Sequence, residues 1–280
     1  MVQQALPQRD PWDPQDPPTS QVPAITAGTP ATAATARLGP PLGAAGRADG
    51  TVQGVALLLP DGRPTGERRP SPLALRAQRP LARLLSRSGA AEGLVVHLVR
   101  YRHRGWNGSA AHPVRDAEWA ADEVVRRYGD VPVCLVGTGM GARAALRAGG
   151  HAAVTSVLAL APWLPEPDAL LAPDPVRQLT GRRVLLVHGT NDERTDPDLS
   201  YRLAERAKKV NRQVCRFEVH SDGHALRQHR TEVLALAADF VRGCLLGHPY
   251  ARPLADALAA PPPLGLRMPL AAGFGESLRH

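Results

Sequence analysis

The stretch Val133-Cys134-Leu135-Val136-Gly137-Thr138-Gly139-Met140-Gly141, followed by Ala142-Arg143-Ala144-Ala145-Leu146-Arg147-Ala148, decides the fold. Its first half is aliphatic and β-branched on both alternating faces and stops at glycine, the pattern of a parallel strand buried on both sides. The second half is a helix rich in glycine and alanine, so its axis can lie close against a sheet. A strand, a glycine turn and a helix in immediate succession are the unit of a parallel sheet covered by helices.

The rest of the chain repeats that alternation. Strands are expected at Val52–Leu59, Leu94–Tyr101, 131–137, Val154–Ala161, Arg183–His188 and Val214–His220. Between them, helices are expected from Ser71 to Arg87, with Pro80 as a kink or a late start, and over His112–Tyr128, 140–149 and Leu199–Val210. A last helix is expected from Ala225 to Leu246. The reading is an α/β fold, one mostly parallel central sheet with helices on both faces, over residues 51–247. Residues 1–50, rich in Pro, Ala and Thr with few large apolar side chains, read as a disordered tail. Residues 248–280, with Pro261-Pro262-Pro263 and scattered glycines, read as a second flexible tail.

Composition narrows the function classes. The formal net charge is +8, but of 34 Lys+Arg only Lys208 and Lys209 are lysine. An arginine bias with abundant Ala, Pro and Gly is also what a GC-rich genome writes. The arginines are spread along the chain, with one local excess from Arg63 to Arg87, and no nucleic-acid-binding motif accompanies them. No nucleic-acid partner is expected. No segment approaches the ~20 apolar residues of a membrane span, and no signal peptide is visible. The three cysteines lack metal-ligand spacing and read as reduced thiols in a cytoplasmic protein, with neither metal nor cofactor implied.

In open α/β sheets functional residues gather at the carboxyl ends of strands. Three such ends carry chemistry. Gly137-Thr138-Gly139-Met140-Gly141 sits in the context of a Gly-x-Ser-x-Gly nucleophile elbow, with Gly139 at the nucleophile position. Asp192 follows the strand ending at His188, and His224 follows the next strand. The order of nucleophile position, acid and histidine is that of a serine hydrolase on this sheet type.

With His188-Gly189-Thr190-Asn191-Asp192 and Asp222-Gly223-His224, the region from about 52 to 245 resembles the α/β-hydrolase fold, and within it the small capless bacterial esterases akin to dienelactone hydrolases. No large cap is expected, since Arg183 follows Ala161 by 22 residues. The resemblance implies Asp192 as the acid that orients the histidine, and His224 as general base. It implies the Met140 N–H as one oxyanion donor and the Asp61-Gly62 turn, through Gly62, as the other. Asp61, Trp106, Thr138 and Trp163 are the expected substrate-facing positions, around a small acyl or ester ligand.

Two residues depart from that family. Gly139 has no hydroxyl and cannot form an acyl-enzyme. Asp61 stands where a small or uncharged residue is usual, and a carboxylate there opposes a developing oxyanion. The candidate substitutes for the missing hydroxyl are Thr138, with its side chain expected to point away from the histidine, Ser109 and Ser221 on loops, or a water held by His224. Asp196 and Asp222 are rival acids that also suit turns, and His188 reads as a packed strand-end residue. Arg100, Arg102, His103 and Arg104 read as a solvated rim. The expectations are therefore altered or weak hydrolysis of ester or related acyl bonds, or an inactive pseudoenzyme that binds a ligand or partner.

Overall fold

The computed structural model describes residues 1, 35–43, 51–165 and 171–275. The reading of residues 1–50 as a disordered tail falls for the most part outside them, and where it is described, at 35–43, two short strands pair with the sheet and correct it. Within the described residues the chain forms one sheet of nine strands. Two short strands, β1 (Arg37–Leu38) and β2 (Leu42–Gly43), precede the parallel core and pair antiparallel with β4. The core strands are β3 (Gly54–Leu59), β4 (Leu94–Arg100), β5 (Val133–Thr138), β6 (Val154–Leu160), β7 (Arg183–Gly189) and β8 (Val214–Val219). They run in the spatial order β4-β3-β5-β6-β7-β8, every neighbouring pair parallel.

The sheet is buried on both faces because its residues alternate between two apolar clusters. Val55, Leu57, Val133 and Leu135 meet helices α2 (His112–Tyr128), α3 (Met140–Ala148) and α4 (Pro197–Val210) on one side. Ala56, Leu58, Cys134 and Val136 meet α1 (Pro72–Gly89), α5 (Arg230–Leu246) and α6 (Arg252–Ala259) on the other. Helix α1 starts where Ser71 Oγ accepts the Leu73 N–H at 3.2 Å with Pro72 in the first turn, and it runs on through Pro80. Asp116 of α2, which the pattern places off the apolar stripe, is buried because it accepts the Arg102 backbone N–H at 2.8 Å and its Nε–H at 2.6 Å.

The segment from 248 onward corrects the expected flexible tail. It forms α6 and a ninth strand, β9 (Met268–Pro269), parallel to β8. Leu254 and Leu266 are fully buried, and Leu270 and Phe274 nearly so. It also serves two buried cations: Arg216 Nη1–H donates to Leu266 O at 3.1 Å, and Lys208 Nζ–H to Ala257 O at 3.3 Å. Removing the segment takes away these two acceptors and uncovers the apolar surface that Leu254, Leu266, Leu270 and Phe274 bury, and each lost hydrogen bond to a charged donor costs about 1.5–3 kcal/mol. A chain ending at Gly247 is expected to lose more than ~10 °C in Tm, or its cooperative transition, in a thermal melt. A Tm within 2–3 °C of the full chain, on the order of 1 kcal/mol, would show the segment to be dispensable.

Candidate active site

The glycine turn after β5 has the geometry its sequence implies. Gly139 sits at φ 53°, ψ −119°, a left-handed conformation that glycine enters without steric cost and other residues only under strain. The helix starts at once with Met140, and a Cβ on Gly137 would lie 2.2 Å from the Gly141 carbonyl oxygen. That glycine is what lets the strand and helix fold back on each other.

Across from the turn lies the end of β3. Asp61 Oδ1 accepts the Met140 N–H at 2.9 Å and the Gly62 N–H at 2.8 Å. The two N–H groups expected as oxyanion donors therefore converge, but on a side-chain oxygen of this same chain. That oxygen lies so close that a Cβ on Gly139 would stand 2.2 Å from it. A side chain at 139 therefore requires the Asp61 carboxylate to move off the two N–H groups.

Asp192 and His224 form the other end of the site. Asp192 follows β7, is fully buried, and its Oδ1 accepts the backbone N–H groups of Arg194 and Thr195 at 2.8 and 3.1 Å. Its Oδ2 lies 2.8 Å from His224 Nδ1, which fixes the ring. The opposite ring nitrogen, Nε2, faces Asp61 Oδ2 at 3.8 Å, and Arg194 Nη1 stands 3.6 Å from the same oxygen. His224 is held in a loop because α5 starts five residues later than the apolar pattern suggests. The Asp222 carboxylate accepts the N–H groups of Gly223, Arg227 and His229, and so caps the loop rather than the triad. Asp196 is the N-cap of α4, accepting the Asp198 N–H at 2.9 Å.

Charge follows from these contacts. Burial works against protonation of His224, but its hydrogen bond to Asp192, the Asp61 carboxylate and the Asp192 charge together raise it to about 9. Burial also pushes Asp61 up, yet His224 and the Met140 and Gly62 N–H groups leave it below the ordinary carboxylate value. Burial likewise opposes the Asp192 charge, and its two histidines and the Arg194 N–H hold the carboxyl well below its usual range. At neutral pH the site is thus an imidazolium between two carboxylates. A general base has to be neutral to take a proton, and this one is not.

His188, expected as packing, is a partner in the site. It is fully buried, with Nε2 2.9 Å from the same Asp192 Oδ2 and Nδ1 2.8 Å from Ser200 Oγ. Burial lowers its pKa against the pull of Asp192. Ser200 Oγ in turn accepts from Arg216 Nε at 2.9 Å. A polar chain so runs from the buried Arg216 to Asp61.

Asp61, Thr138, Gly139 and His224 line one cavity of about 470 Å³. Thr138 lines it as well, and its Oγ1 accepts the Gln78 Nε2–H at 2.6 Å rather than meeting His224. Trp106 and Trp163 do not line it. They pack edge to face at 6.0 Å on the opposite side of the sheet, with the Arg143 guanidinium 4.4 Å from the Trp106 ring and 5.2 Å from that of Trp163. Arg143 is held there by Asp174, Nε to Oδ2 at 2.8 Å. Sequence reasoning missed Gln78, Arg194, Arg227 and Arg230 in the lining. Gln78 had a signal, a polar residue on the apolar stripe with Leu81 and Leu85; the arginines had none among so many.

The architecture has solved counterparts. The chain has the α/β-hydrolase fold without a large cap, and its solved neighbours carry the same fold. A lidless α/β serine hydrolase from Xanthomonas campestris matches with TM-score 0.54 and 19% identity, over 76% of this chain and 90% of its own. An esterase from Pyrococcus furiosus matches with TM-score 0.54 and 15% identity, over 69% and 84%. Esterase PE8 matches with TM-score 0.54 and 18% identity, over 74% and 98%. No protein-family model and no curated protein sequence matches the chain. Among the described residues, no helix is long and apolar enough to cross a membrane.

Proposed function

We propose that this chain is a catalytically inactive member of the α/β-hydrolase class, a pseudoenzyme that binds a small ligand in the cavity above Gly139. The observation that carries the reading is the Asp61 carboxylate on the Met140 and Gly62 N–H groups, at 2.9 and 2.8 Å. Acyl transfer needs those donors aimed at a developing oxyanion. Here they already bind a full negative charge, which repels a second one. The nucleophile position is a glycine, and the histidine that would activate a water in its stead is protonated. The alternative, hydrolysis by a water on His224, needs both the donors and the base free at once. The free thiols of Cys134, Cys215 and Cys244 support a reducing, cytoplasmic setting for the protein.

The test is hydrolysis of p-nitrophenyl butyrate and octanoate at pH 7.5 by the native chain and by His224→Ala. Both are expected to match the buffer rate. A native rate that His224→Ala abolishes would establish water-based turnover and remove the inactive reading.

A further inference from the structure

We infer that the cavity selects small amphiphiles with a single anionic head group, of the medium-chain carboxylate type, and that Arg227 and Arg230 read the head group. The inference rests on the reading of this cavity as a binding site and adds the chemistry of what it takes.

The inner wall of the cavity is hydrocarbon: Leu81 from α1, Leu160 at the end of β6, Leu226 from the loop after β8, and Val233 and Leu234 from α5. With about 470 Å³ it is in the size range of small-molecule sites, where an apolar body is held by burial and a few polar groups fix orientation. The polar groups differ sharply in their state. Asp61 is the sole acid in the lining, and its charge is met by two N–H groups, His224 and Arg194. Thr138 and Gln78 are bonded to each other, the Gln78 Nε2–H donating to Thr138 Oγ1 at 2.6 Å.

Arg227 and Arg230 are the reverse. Both line the cavity and both are exposed, and neither guanidinium has an ion-pair partner among the described residues. The carboxylates nearest to them in sequence are turned elsewhere. Asp222 accepts backbone N–H groups of its own loop, including that of Arg227, and Glu232 accepts the Gly273 N–H at 3.2 Å. Counting His224 as imidazolium, the lining holds four cations against one carboxylate. A ligand with its tail among the leucines and its head at the mouth would meet two planar, uncompensated forks whose geometry suits a carboxylate. A neutral head group gains nothing there, and a cationic one is repelled.

Titration calorimetry of the full chain with octanoate, 1-octanol and octylammonium at low ionic strength tests this. Octanoate is expected to bind at least about tenfold more tightly than octanol, with octylammonium weakest, and 0.5 M NaCl to narrow the gap by screening. In the Arg227→Gln/Arg230→Gln variant, with its Tm checked against the native chain, octanoate is expected to fall to the level of octanol. Equal affinities in the native protein, a preference for the ammonium, an octanoate preference that survives in the variant, or no binding of any probe would each overturn the inference. Hydrolysis of p-nitrophenyl octanoate by the native chain would instead overturn the inactive reading, while leaving the head-group preference measurable with octanoate itself.

Discussion

Gly139→Ser alone is expected to leave the protein inert toward p-nitrophenyl esters, whereas Asp61→Gly/Gly139→Ser is expected to hydrolyse them. The reason is geometric. Any side chain at 139 puts its Cβ 2.2 Å from Asp61 Oδ1, so the single serine must displace either itself or a carboxylate tied to two N–H groups. The backbone at φ 53° adds strain for a non-glycine residue, of order 1–3 kcal/mol, on top of that overlap. Removing the Asp61 carboxylate frees the Met140 and Gly62 N–H groups and takes one anion away from His224, which brings its pKa down toward the range of a working base. Each oxyanion donor is worth about 10²–10³ in kcat, so the double variant should exceed the single serine variant by at least about that factor. Adding His224→Ala to the double variant should remove the gain. A single Gly139→Ser variant as active as the double would show that Asp61 does not obstruct the site, and the inactive reading would lose its main support.

Asp192→Ala is expected to be the most damaging single substitution in the site, although nothing in the inactive reading asks Asp192 for chemistry. Its side chain is fully buried and anchors His188, His224 and two backbone N–H groups at once. Deleting one partner of a buried, hydrogen-bonded ionic cluster costs about 3–5 kcal/mol, which in a domain of this size is roughly 6–20 °C in Tm. A loss under ~1 kcal/mol by denaturant titration would mean the cluster is dispensable. The same cluster sets a pH dependence. His224 has its folded-state pKa raised from 6.5 to about 9, so the stability it contributes is fully present below about 6.5 and is lost as pH rises through 9. The stability difference between the native chain and His224→Gln should therefore shrink from pH 6.5 to 10. His188, with its pKa lowered, acts in the opposite sense below about 6.5, which is why the comparison belongs on the alkaline side.

Asp61 and Gly139 also explain each other in a way that neither does alone. A carboxylate at the end of β3 is a hazard for an acyl-transfer site, and a glycine at the elbow is a missing hydroxyl. Brought together they form a closed, satisfied arrangement: the glycine makes room, the carboxylate takes the donors, and the imidazolium balances its charge.

Local patterning was enough for the frame. The aliphatic runs at 133–137 and 184–187, the glycine turns after them and the amphipathic helix from His112 to Tyr128 each carry their structure in a window of a few residues, because side-chain period and backbone period must agree. Gly139, Asp192 and His224 were placed after the strands now seen as β5, β7 and β8 by the rule that functional residues gather at strand carboxyl ends, and Asp192 and His224 meet at 2.8 Å. What a local window cannot hold is which distant surfaces touch. Trp106 looked like a pocket residue and went to the far side of the sheet, since Arg143 and Asp174 offered its ring a partner there. The proline-rich segment after Gly247 looked unstructured, because its buried residues Leu254, Leu266 and Phe274 follow no period and are ordered only by the strand edge and the buried cations they cover. The sequence by itself determined the six parallel strands, the five helices that cover them and the placing of Asp192 and His224 at strand ends. Only the tertiary structure decided what the site became, because it brings Asp61 across 78 residues onto the bare backbone of Gly139, and that contact is a matter of ångströms between chain segments rather than of any residue's own preference.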